Sequence, residues 1–144
     1  MTTERYLFDV NVLFALSWSK HVHHAREQDW FSERTPDWAS TPITEAGLVR
    51  LMINRAIMGS EVPVARALET LDALRSEPGH SFVPDDSTLA APVIALTRLA
   101  SRHAVTDLHL ANLAAKHGRR LATLDARLPE LLEPADRGVV LVLP

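Results

Sequence analysis

Four carboxylates in this chain stand where a charged side chain has no obvious structural task. Asp9 and Asp125 each follow an apolar run that is typical of a buried strand. Glu45 and Asp107 each follow a threonine in what reads as the first turn of an apolar helix. Two strand ends and two helix starts that carry carboxylates predict one shared site, and gathered carboxylates indicate a metal.

Each carboxylate also has a structural explanation when it is taken alone. Glu45 and Asp107 are more simply explained as acidic residues of a helix first turn, where the helix dipole favours them. Asp125 fits a turn or a cap as well as it fits a site. Asp9 follows the first buried strand, and function explains its position better than structure does. The prediction of a site therefore depends on the four residues together.

The chemistry of four neighbouring carboxylates is restrictive. Like charges held together repel, and without a counter-charge some of them would protonate. Two divalent cations would balance the four charges, and carboxylate oxygens suit Mg²⁺ or Mn²⁺. Two such ions about 3.5–4 Å apart can activate a water and stabilise the leaving oxygen of a phosphodiester. The pattern therefore predicts hydrolysis of a nucleic-acid backbone.

Two small polar residues accompany the carboxylates. Asn11 lies two positions after Asp9, where its amide can orient a water or hold the Asp9 carboxylate. Thr123 lies two positions before Asp125, and its hydroxyl can donate a hydrogen bond to a neighbouring carboxylate if both side chains reach the same edge. Both residues are predicted to support the metal ligands.

The composition bounds the class of protein. The chain has 144 residues, 47% of them hydrophobic, which suits a single domain over residues 1–144. Because cysteine is absent from the sequence, disulfides, zinc–thiolate sites and thiol catalysis are excluded. The N-terminus does not resemble a secretory signal, and the longest apolar stretch, residues 89–96, is too short for a membrane span. We expect a soluble cytoplasmic protein.

The formal net charge of −3 argues against a generally basic nucleic-acid-binding protein. Without the four carboxylates, however, the same chain would carry a net charge of +1. All of its 15 basic residues except Lys20 and Lys116 are arginine, which is the better fork for phosphate, although genomic base composition explains this bias at least as well. If RNA is the substrate, some phosphate contacts are expected from Arg98, Arg102, Arg119, Arg120 and Arg127.

Apolar runs and turn residues predict short strands that alternate with helices. The strands are predicted at residues 5–9, 38–41, 81–83, 120–124 and 139–143. The helices are predicted at residues 11–16, 24–32, 43–58, 63–77, 87–103 and 107–116, the last with Thr106 as its N-cap. This alternation predicts an α/β fold with a mostly parallel sheet of about five strands, covered by helices on both faces. Asp9 and Asp125 would then lie at carboxyl ends of strands, where open α/β sheets bind ligands.

The chain resembles PIN-domain proteins, and specifically the VapC-type toxins of bacterial toxin–antitoxin pairs. The resemblance covers essentially the whole chain and is carried by four short segments. These are FDVNVL at residues 8–13, TPITE at 41–45, VTDLHLA at 105–111 and ATLD at 122–125. It is weakest over residues 59–104, where length and sequence vary within the family.

The resemblance implies a metal-dependent endoribonuclease with an α/β/α sandwich fold. The acidic quartet of the family maps onto Asp9, Glu45, Asp107 and Asp125, which would hold Mg²⁺ or Mn²⁺, and its accompanying polar residues map onto Asn11 and Thr123. RNA is the implied substrate, with cleavage products that carry a 5′-phosphate and a 3′-hydroxyl. The implied protein partners are a second copy of the chain, in a homodimer, and a small antitoxin whose C-terminal segment blocks the acidic site.

Two alternative functions remain open from the residues. An α/β phosphohydrolase would use Asp9 as its nucleophile, but such sites favour a second acidic residue where this chain has Asn11, and neither lysine follows a predicted strand. A non-catalytic protein-binding module would keep the fold, but folding alone does not require four neighbouring carboxylates. Metal-dependent RNA cleavage that is lost in Asp9→Asn would discriminate the nuclease from both.

Two further groups of side chains have competing explanations. Trp18, Trp30, Phe31 and Trp38 could line an apolar groove for an antitoxin helix, although core packing explains each of them equally well. The histidines of residues 21–24 suggest zinc at first sight. Adjacent residues of a helix point about 100° apart, and no cysteine completes a tetrahedral set, so a solvent-facing turn or an edge that contacts RNA is the better explanation.

Overall fold

The computed structural model describes residues 4–144, and its strands form one parallel sheet. The strands are β1 (Arg5–Phe8), β2 (Asp37–Ser40), β3 (His80–Phe82), β4 (Arg120–Thr123) and β5 (Val140–Val142). Their order across the sheet is β3-β2-β1-β4-β5, and every neighbouring pair is parallel. Strands β2 and β3 are added on one side of β1, and β4 and β5 are added later on the other side. The topological switch point, where open α/β sheets bind ligands at the strand carboxyl ends, therefore lies between β1 and β4.

Helices cover both faces of this sheet. They are α1 (Val10–Ser17), α2 (His24–Arg34), α3 (Pro42–Met52), α4 (Arg55–Met58), α5 (Val64–Arg75) and α6 (Val105–Lys116). Short 3-10 helices lie at Arg102–Ala104, Leu128–Leu131 and Pro134–Val139. The predicted α/β sandwich with five parallel strands is confirmed. Within residues 4–144, none of the helices is long and apolar enough to cross a membrane.

The alternation of side chains along β1 divides the core into two clusters. Phe8 packs with Trp38 and the α1 side chains on one face, whereas Leu7 packs with Leu108 and Leu121 on the other. Successive side chains of a strand point to opposite faces, so a strand that is apolar throughout must be buried on both. The complete burial of Leu7 and Phe8 fixes β1 at the centre of the molecule.

The helix predicted over residues 43–58 is two helices. The first, α3, ends at Met52, and α4 begins after Asn54, whose backbone is extended and whose side chain accepts a hydrogen bond from the Ile57 N–H at 3.2 Å. Asparagine is a preferred N-cap because its side-chain oxygen replaces the missing backbone acceptor. The prediction followed the apolar periodicity across this residue and missed the new start.

The helix predicted over residues 87–103 is wrong, because residues 83–101 contain neither helix nor strand. Pro92 lies in the middle of this stretch, where it would interrupt a helix. Two backbone donors here bind side chains instead of a helical carbonyl. The Val93 N–H donates to Asn112 Oδ1 at 2.8 Å, and the Ala95 N–H donates to Asp136 Oδ2 at 3.0 Å.

The predicted N-cap of the last helix is also wrong. A 3-10 turn over Arg102–Ala104 runs directly into α6, so the helix begins at Val105 and Thr106 lies inside its first turn. The prediction that Gly118 closes this helix is confirmed by its left-handed backbone, with φ of 64°. Asp107 remains in the first turn, as expected.

Candidate active site

Asp9 lies at the switch point, directly after β1, and its side chain is almost completely buried. Its backbone N–H donates to the Ala122 carbonyl of β4 at 3.0 Å, so the residue is still held by the sheet. It is also the N-cap of α1, where Oδ1 accepts a hydrogen bond from the Val10 N–H at 2.6 Å. Asp9 therefore has a structural role, as a helix N-cap, that was not predicted from the sequence. It lies directly after the first strand, as predicted.

Thr123 connects the ends of the neighbouring strands β1 and β4. Its hydroxyl donates a hydrogen bond to Asp9 Oδ2 at 2.9 Å and accepts one from the Asp125 N–H at 3.1 Å. The residue is the last of β4 and is completely buried. The predicted hydrogen bond from Thr123 to a neighbouring carboxylate is therefore present, and its partner is Asp9.

Asp125 follows β4 and lies at the more exposed edge of the site. Its Oδ1 atom accepts hydrogen bonds from the Arg127 backbone N–H at 2.9 Å and from Arg127 Nε at 3.4 Å. The Arg127 side chain is 86% exposed, so this contact neutralises little of the Asp125 charge. Asp125 lies near enough for its charge to act on the Asp9 carboxylate.

The half-buried Asp107, in the first turn of α6, completes a group of three aspartates. Burial and the nearby charges of Asp9 and Asp125 raise the pKa of Asp107 to about 6. Burial also raises the pKa of Asp9, and Asp125 adds to that rise, whereas the hydrogen bonds from Thr123 and the Val10 N–H oppose it. The three carboxylates therefore share one electrostatic field with an uncompensated negative charge.

The uncompensated negative charge of the three aspartates is a reason for a divalent cation to bind among them. As they stand in residues 4–144, no three His, Asp or Glu side chains converge closely enough to hold a metal ion. The donors are nevertheless hard carboxylate oxygens on rigid strand ends and a helix start, and a cation would relieve the repulsion that raises the Asp107 pKa. The residues present therefore fit a hard divalent cation in chemistry.

Glu45 lies at the same end of the sheet, but its carboxylate is bound elsewhere. Glu45 Oε2 accepts a hydrogen bond from the Ser40 hydroxyl at 2.5 Å and forms a salt bridge with Arg75 Nη1 at 2.5 Å. The charges that raise the Asp107 pKa are those of Asp9 and Asp125, and Glu45 is not among them. The structure therefore places three of the four predicted carboxylates near enough for their charges to interact, and it holds the fourth against an arginine.

A histidine extends the contacts of Glu45 into the sheet. His80 Nε2 lies 2.8 Å from Ser40 Oγ. Because the Ser40 hydroxyl has one proton and the carboxylate only accepts, that proton goes to Glu45 and His80 Nε2 must carry its own proton. Burial and then Arg75 lower the pKa of His80, which favours the neutral ring. Sequence reasoning missed Ser40, Arg75 and His80, and only the position of Ser40 directly before the TPITE segment could have indicated it.

The remaining predicted groups lie outside this set of contacts. Asn11 is exposed on the first turn of α1. His24 Nδ1 lies 2.7 Å from the Ala15 carbonyl, and His21 Nδ1 accepts from the His23 N–H at 3.0 Å, so local structure explains both rings.

Most of the four aromatic side chains belong to the core or its edge. Trp30 and Trp38 are buried in it, and Trp18 stacks on Phe14. Phe31 alone among the four lines a cleft of about 420 Å³ between α1, α2 and α5.

The arginines near β4 divide into structural and exposed ones. Arg119 is buried, and its Nη1 donates to the Tyr6 carbonyl and to Asp37 Oδ1. Arg120 donates to the carbonyls of Gly138 and Val140, next to β5. Arg98 forms a salt bridge with Glu133 at 3.3 Å. Of these arginines, Arg127 is therefore the exposed one in direct contact with the acidic group.

The chain is similar to known proteins in both sequence and structure. The family model of the PIN domain matches residues 6–132. The ribonuclease VapC39 of Mycobacterium tuberculosis is 47% identical over 139 residues, which cover 95% of this chain and 98% of that protein. The structure of PAE2754 from Pyrobaculum aerophilum superposes with a TM-score of 0.59 at 22% identity, over 95% of this chain and 83% of that one. The structure of VapBC2 from Rickettsia felis, bound to a promoter DNA fragment, has a TM-score of 0.58 at 12% identity, over 96% and 98%.

Proposed function

Since this chain belongs to the PIN-domain family, we propose that it is a metal-dependent endoribonuclease that acts as the toxin of a toxin–antitoxin pair. The observation that carries the proposal is the field shared by Asp9, Asp107 and Asp125 at the switch point of the sheet. The identity to a ribonuclease over almost the full length of both chains supports RNA as the substrate.

We assign Asp9, Asp107, Asp125 and Glu45 as the ligands of Mg²⁺ or Mn²⁺. When bound, the metal would supply positive charge that activates water and stabilises the negative charge that develops on the phosphodiester. Glu45 becomes a ligand only when its carboxylate leaves Arg75, which now holds it at 2.5 Å.

The other residues of the site position these carboxylates. The Thr123 hydroxyl and the Val10 N–H each bind one oxygen of Asp9, which fixes the plane of this carboxylate. These two hydrogen bonds stabilise the ionised form of Asp9, the form that binds a cation, against the effect of burial. Asn11 is exposed two residues after Asp9, where its amide can orient a water or a phosphate oxygen.

The proposed partners follow from the same family. A small antitoxin is the protein partner that the VapBC2 structure favours, since that structure is a VapBC complex with the same fold. We also propose that the chain forms a homodimer and acts in the cytoplasm, where RNA is accessible. Co-expression with the antitoxin and measurement of the molar mass in solution test these two assemblies.

Expression of the chain in bacteria tests the function itself. We expect growth arrest and new RNA 5′ ends, both of which Asp9→Asn abolishes while the protein remains folded. The matched control is Asp29→Asn, an exposed carboxylate on α2, which should arrest growth like the unaltered chain. Identical RNA 5′ ends with the unaltered chain and with Asp9→Asn would contradict the proposed site.

A further inference from the structure

An exposed aromatic side chain lies at the carboxyl end of the sheet. Phe82 is the last residue of β3 and pairs in register with Ser40 at the end of β2. Its side chain is 46% exposed, and among the large exposed hydrophobic residues of the described chain it is the only aromatic one. A single exposed apolar side chain is common on protein surfaces, so the exposure of Phe82 gains significance only from the residues around it.

Phe82 is joined to the acidic site through Arg75. The Arg75 guanidinium carbon lies 5.0 Å from the centre of the Phe82 ring, and the same guanidinium forms the salt bridge with Glu45. We call this pair the Arg75–Phe82 platform. Its cation contacts one of the four predicted metal ligands, and its aromatic ring packs against that cation.

The platform also lies at a suitable distance from the remaining carboxylates. Strand β3 is separated from β1 by β2 alone, and neighbouring strands are about 4.8 Å apart, so the ends of β3 and β1 are about 10 Å apart. Phe82 ends β3, and Asp9 follows β1 at the same edge of the parallel sheet. A nucleotide beside a phosphodiester at the aspartates would therefore reach the platform.

We propose that the Arg75–Phe82 platform binds a base of single-stranded RNA next to the cleaved phosphodiester. This inference rests on the proposed ribonuclease function. Unpaired bases stack on phenylalanine rings and on arginine guanidinium planes. The platform therefore supplies a stacking surface for RNA that a cluster of carboxylates lacks.

RNA binding without cleavage tests the platform directly. The parent protein is the full chain with Asp107→Asn, in EDTA, and the probe is a short single-stranded RNA that contains the fluorescent base 2-aminopurine. We expect Phe82→Leu, which keeps the apolar volume and removes the ring, to weaken binding about tenfold and to lose the quenching of the probe. Phe82→Trp should bind at least as tightly as the parent, because it keeps an aromatic face.

Two controls separate this effect from a change in folding. Leu68→Ala removes another exposed apolar side chain, on α5, and should leave RNA binding unchanged. Thermal unfolding should show that Phe82→Leu and Phe82→Trp are as stable as the parent. Equal RNA affinity of the parent, Phe82→Leu and Phe82→Trp would overturn the proposal.

RNA cleavage by the chain with its aspartates intact distinguishes failure of the platform proposal from failure of the proposed ribonuclease function. If that chain cleaves RNA and Phe82→Leu cleaves it with the same KM at the same sites, the ribonuclease function stands and the platform is wrong. If the intact chain cleaves no RNA, both proposals fail. Loss of antitoxin binding in Phe82→Leu with unchanged RNA binding would make the ring a protein contact and would also overturn the inference.

Discussion

The Thr123 hydroxyl donates a hydrogen bond to Asp9 Oδ2 at 2.9 Å, and this contact joins the ends of two neighbouring parallel strands. Asp9 is buried, which by itself favours the protonated carboxyl. The hydrogen bond from Thr123 favours the ionised form and fixes one oxygen of the carboxylate in place. A neutral side chain thus keeps the most buried carboxylate of the site available for a cation.

We therefore expect Thr123→Val to reduce RNA cleavage about 10–100-fold at limiting Mg²⁺, the usual effect of removing a hydrogen bond to a metal ligand. Valine matches threonine in shape but cannot donate to Asp9. Thr123→Ser keeps the hydroxyl and should retain nearly full activity. Cleavage rates measured across a Mg²⁺ titration check this, and equal rates for the valine and serine variants would disprove the positioning role.

The raised pKa of Asp107 predicts a dependence of stability on pH. A carboxyl with a pKa of about 6 in the folded protein and 3.8 in the unfolded chain binds its proton more tightly when folded. In EDTA, this residue therefore adds stability as the pH falls from about 7 toward 4, and it lowers stability above pH 7. Asp107→Asn should remove this dependence and, because the side chain is partly exposed, raise the free energy of unfolding at pH 7.5 by only about 1 kcal/mol.

Urea denaturation of the two proteins in EDTA between pH 4 and pH 8 measures this difference. The stability curves should separate above pH 6 and approach each other at low pH. Addition of Mg²⁺ should then stabilise the unaltered chain more than Asp107→Asn, because a ligand stabilises the state that binds it. A constant difference at every pH would show that Asp107 does not titrate in the field of the other aspartates.

A second buried carboxylate, Glu27 on α2, predicts a stabilising substitution. Glu27 is completely buried, and within residues 4–144 neither of its side-chain oxygens has a hydrogen-bond partner. Burial raises its pKa, so its ionised form destabilises the folded protein at neutral pH. Glu27→Met should raise the free energy of unfolding at pH 7 by about 1–3 kcal/mol, a gain that shrinks as the pH falls and Glu27 protonates. Chemical denaturation measures it, and a loss of stability in Glu27→Met would contradict this explanation.

The salt bridge between Arg75 and Glu45 predicts an effect on metal affinity. If Glu45 is a metal ligand, Arg75 competes with the metal for its carboxylate, and Arg75→Gln should tighten Mn²⁺ binding about tenfold. Titration calorimetry without RNA measures this affinity separately from any contact of Arg75 with RNA. Arg66→Gln, an exposed arginine of the same helix, is the matched control and should change nothing.

A double-mutant cycle identifies the origin of such a gain. In the Glu45→Gln protein, Arg75→Gln should no longer tighten Mn²⁺ binding, because the carboxylate for which arginine and metal compete is absent. An undiminished gain in that background would mean that Arg75 acts on the aspartates through its charge alone. Glu45 would then lose its assignment as a ligand.

The positions of the three aspartates in the fold could be predicted from sequence because each is fixed by a regular element. Asp9 and Asp125 follow strands whose apolar residues identify them, and parallel strands end at one edge of the sheet. The contacts of Glu45 could not be predicted, since Arg75 lies 30 residues further along the chain on a helix whose packing is set by the core. Phe82 was predicted only as part of a strand, because the exposure of one side chain at a sheet edge depends on its neighbours.

The helix predicted over residues 87–103 was wrong for a related reason. Its apolar residues follow a helical spacing, yet Ile94 is buried against the α6 side of the sheet without a helix. The side-chain oxygens of Asn112 and Asp136 accept hydrogen bonds from two of its backbone N–H groups, and both residues lie far along the chain. The spacing of apolar residues indicates which of them are buried. It does not determine the backbone conformation, which here depends on hydrogen bonds to distant side chains.

Cleavage of total RNA by the purified chain tests the central claim most directly, namely that the three aspartates hold a cation that is required for hydrolysis of RNA. The unaltered chain and Asp107→Asn are incubated with RNA in Mg²⁺, in Mn²⁺ and after exhaustive chelation. The account predicts cleavage by the unaltered chain that stops on chelation, returns when metal is restored and is absent from Asp107→Asn in every condition. Cleavage that persists after chelation, or equal cleavage by a clean preparation of Asp107→Asn, would contradict it.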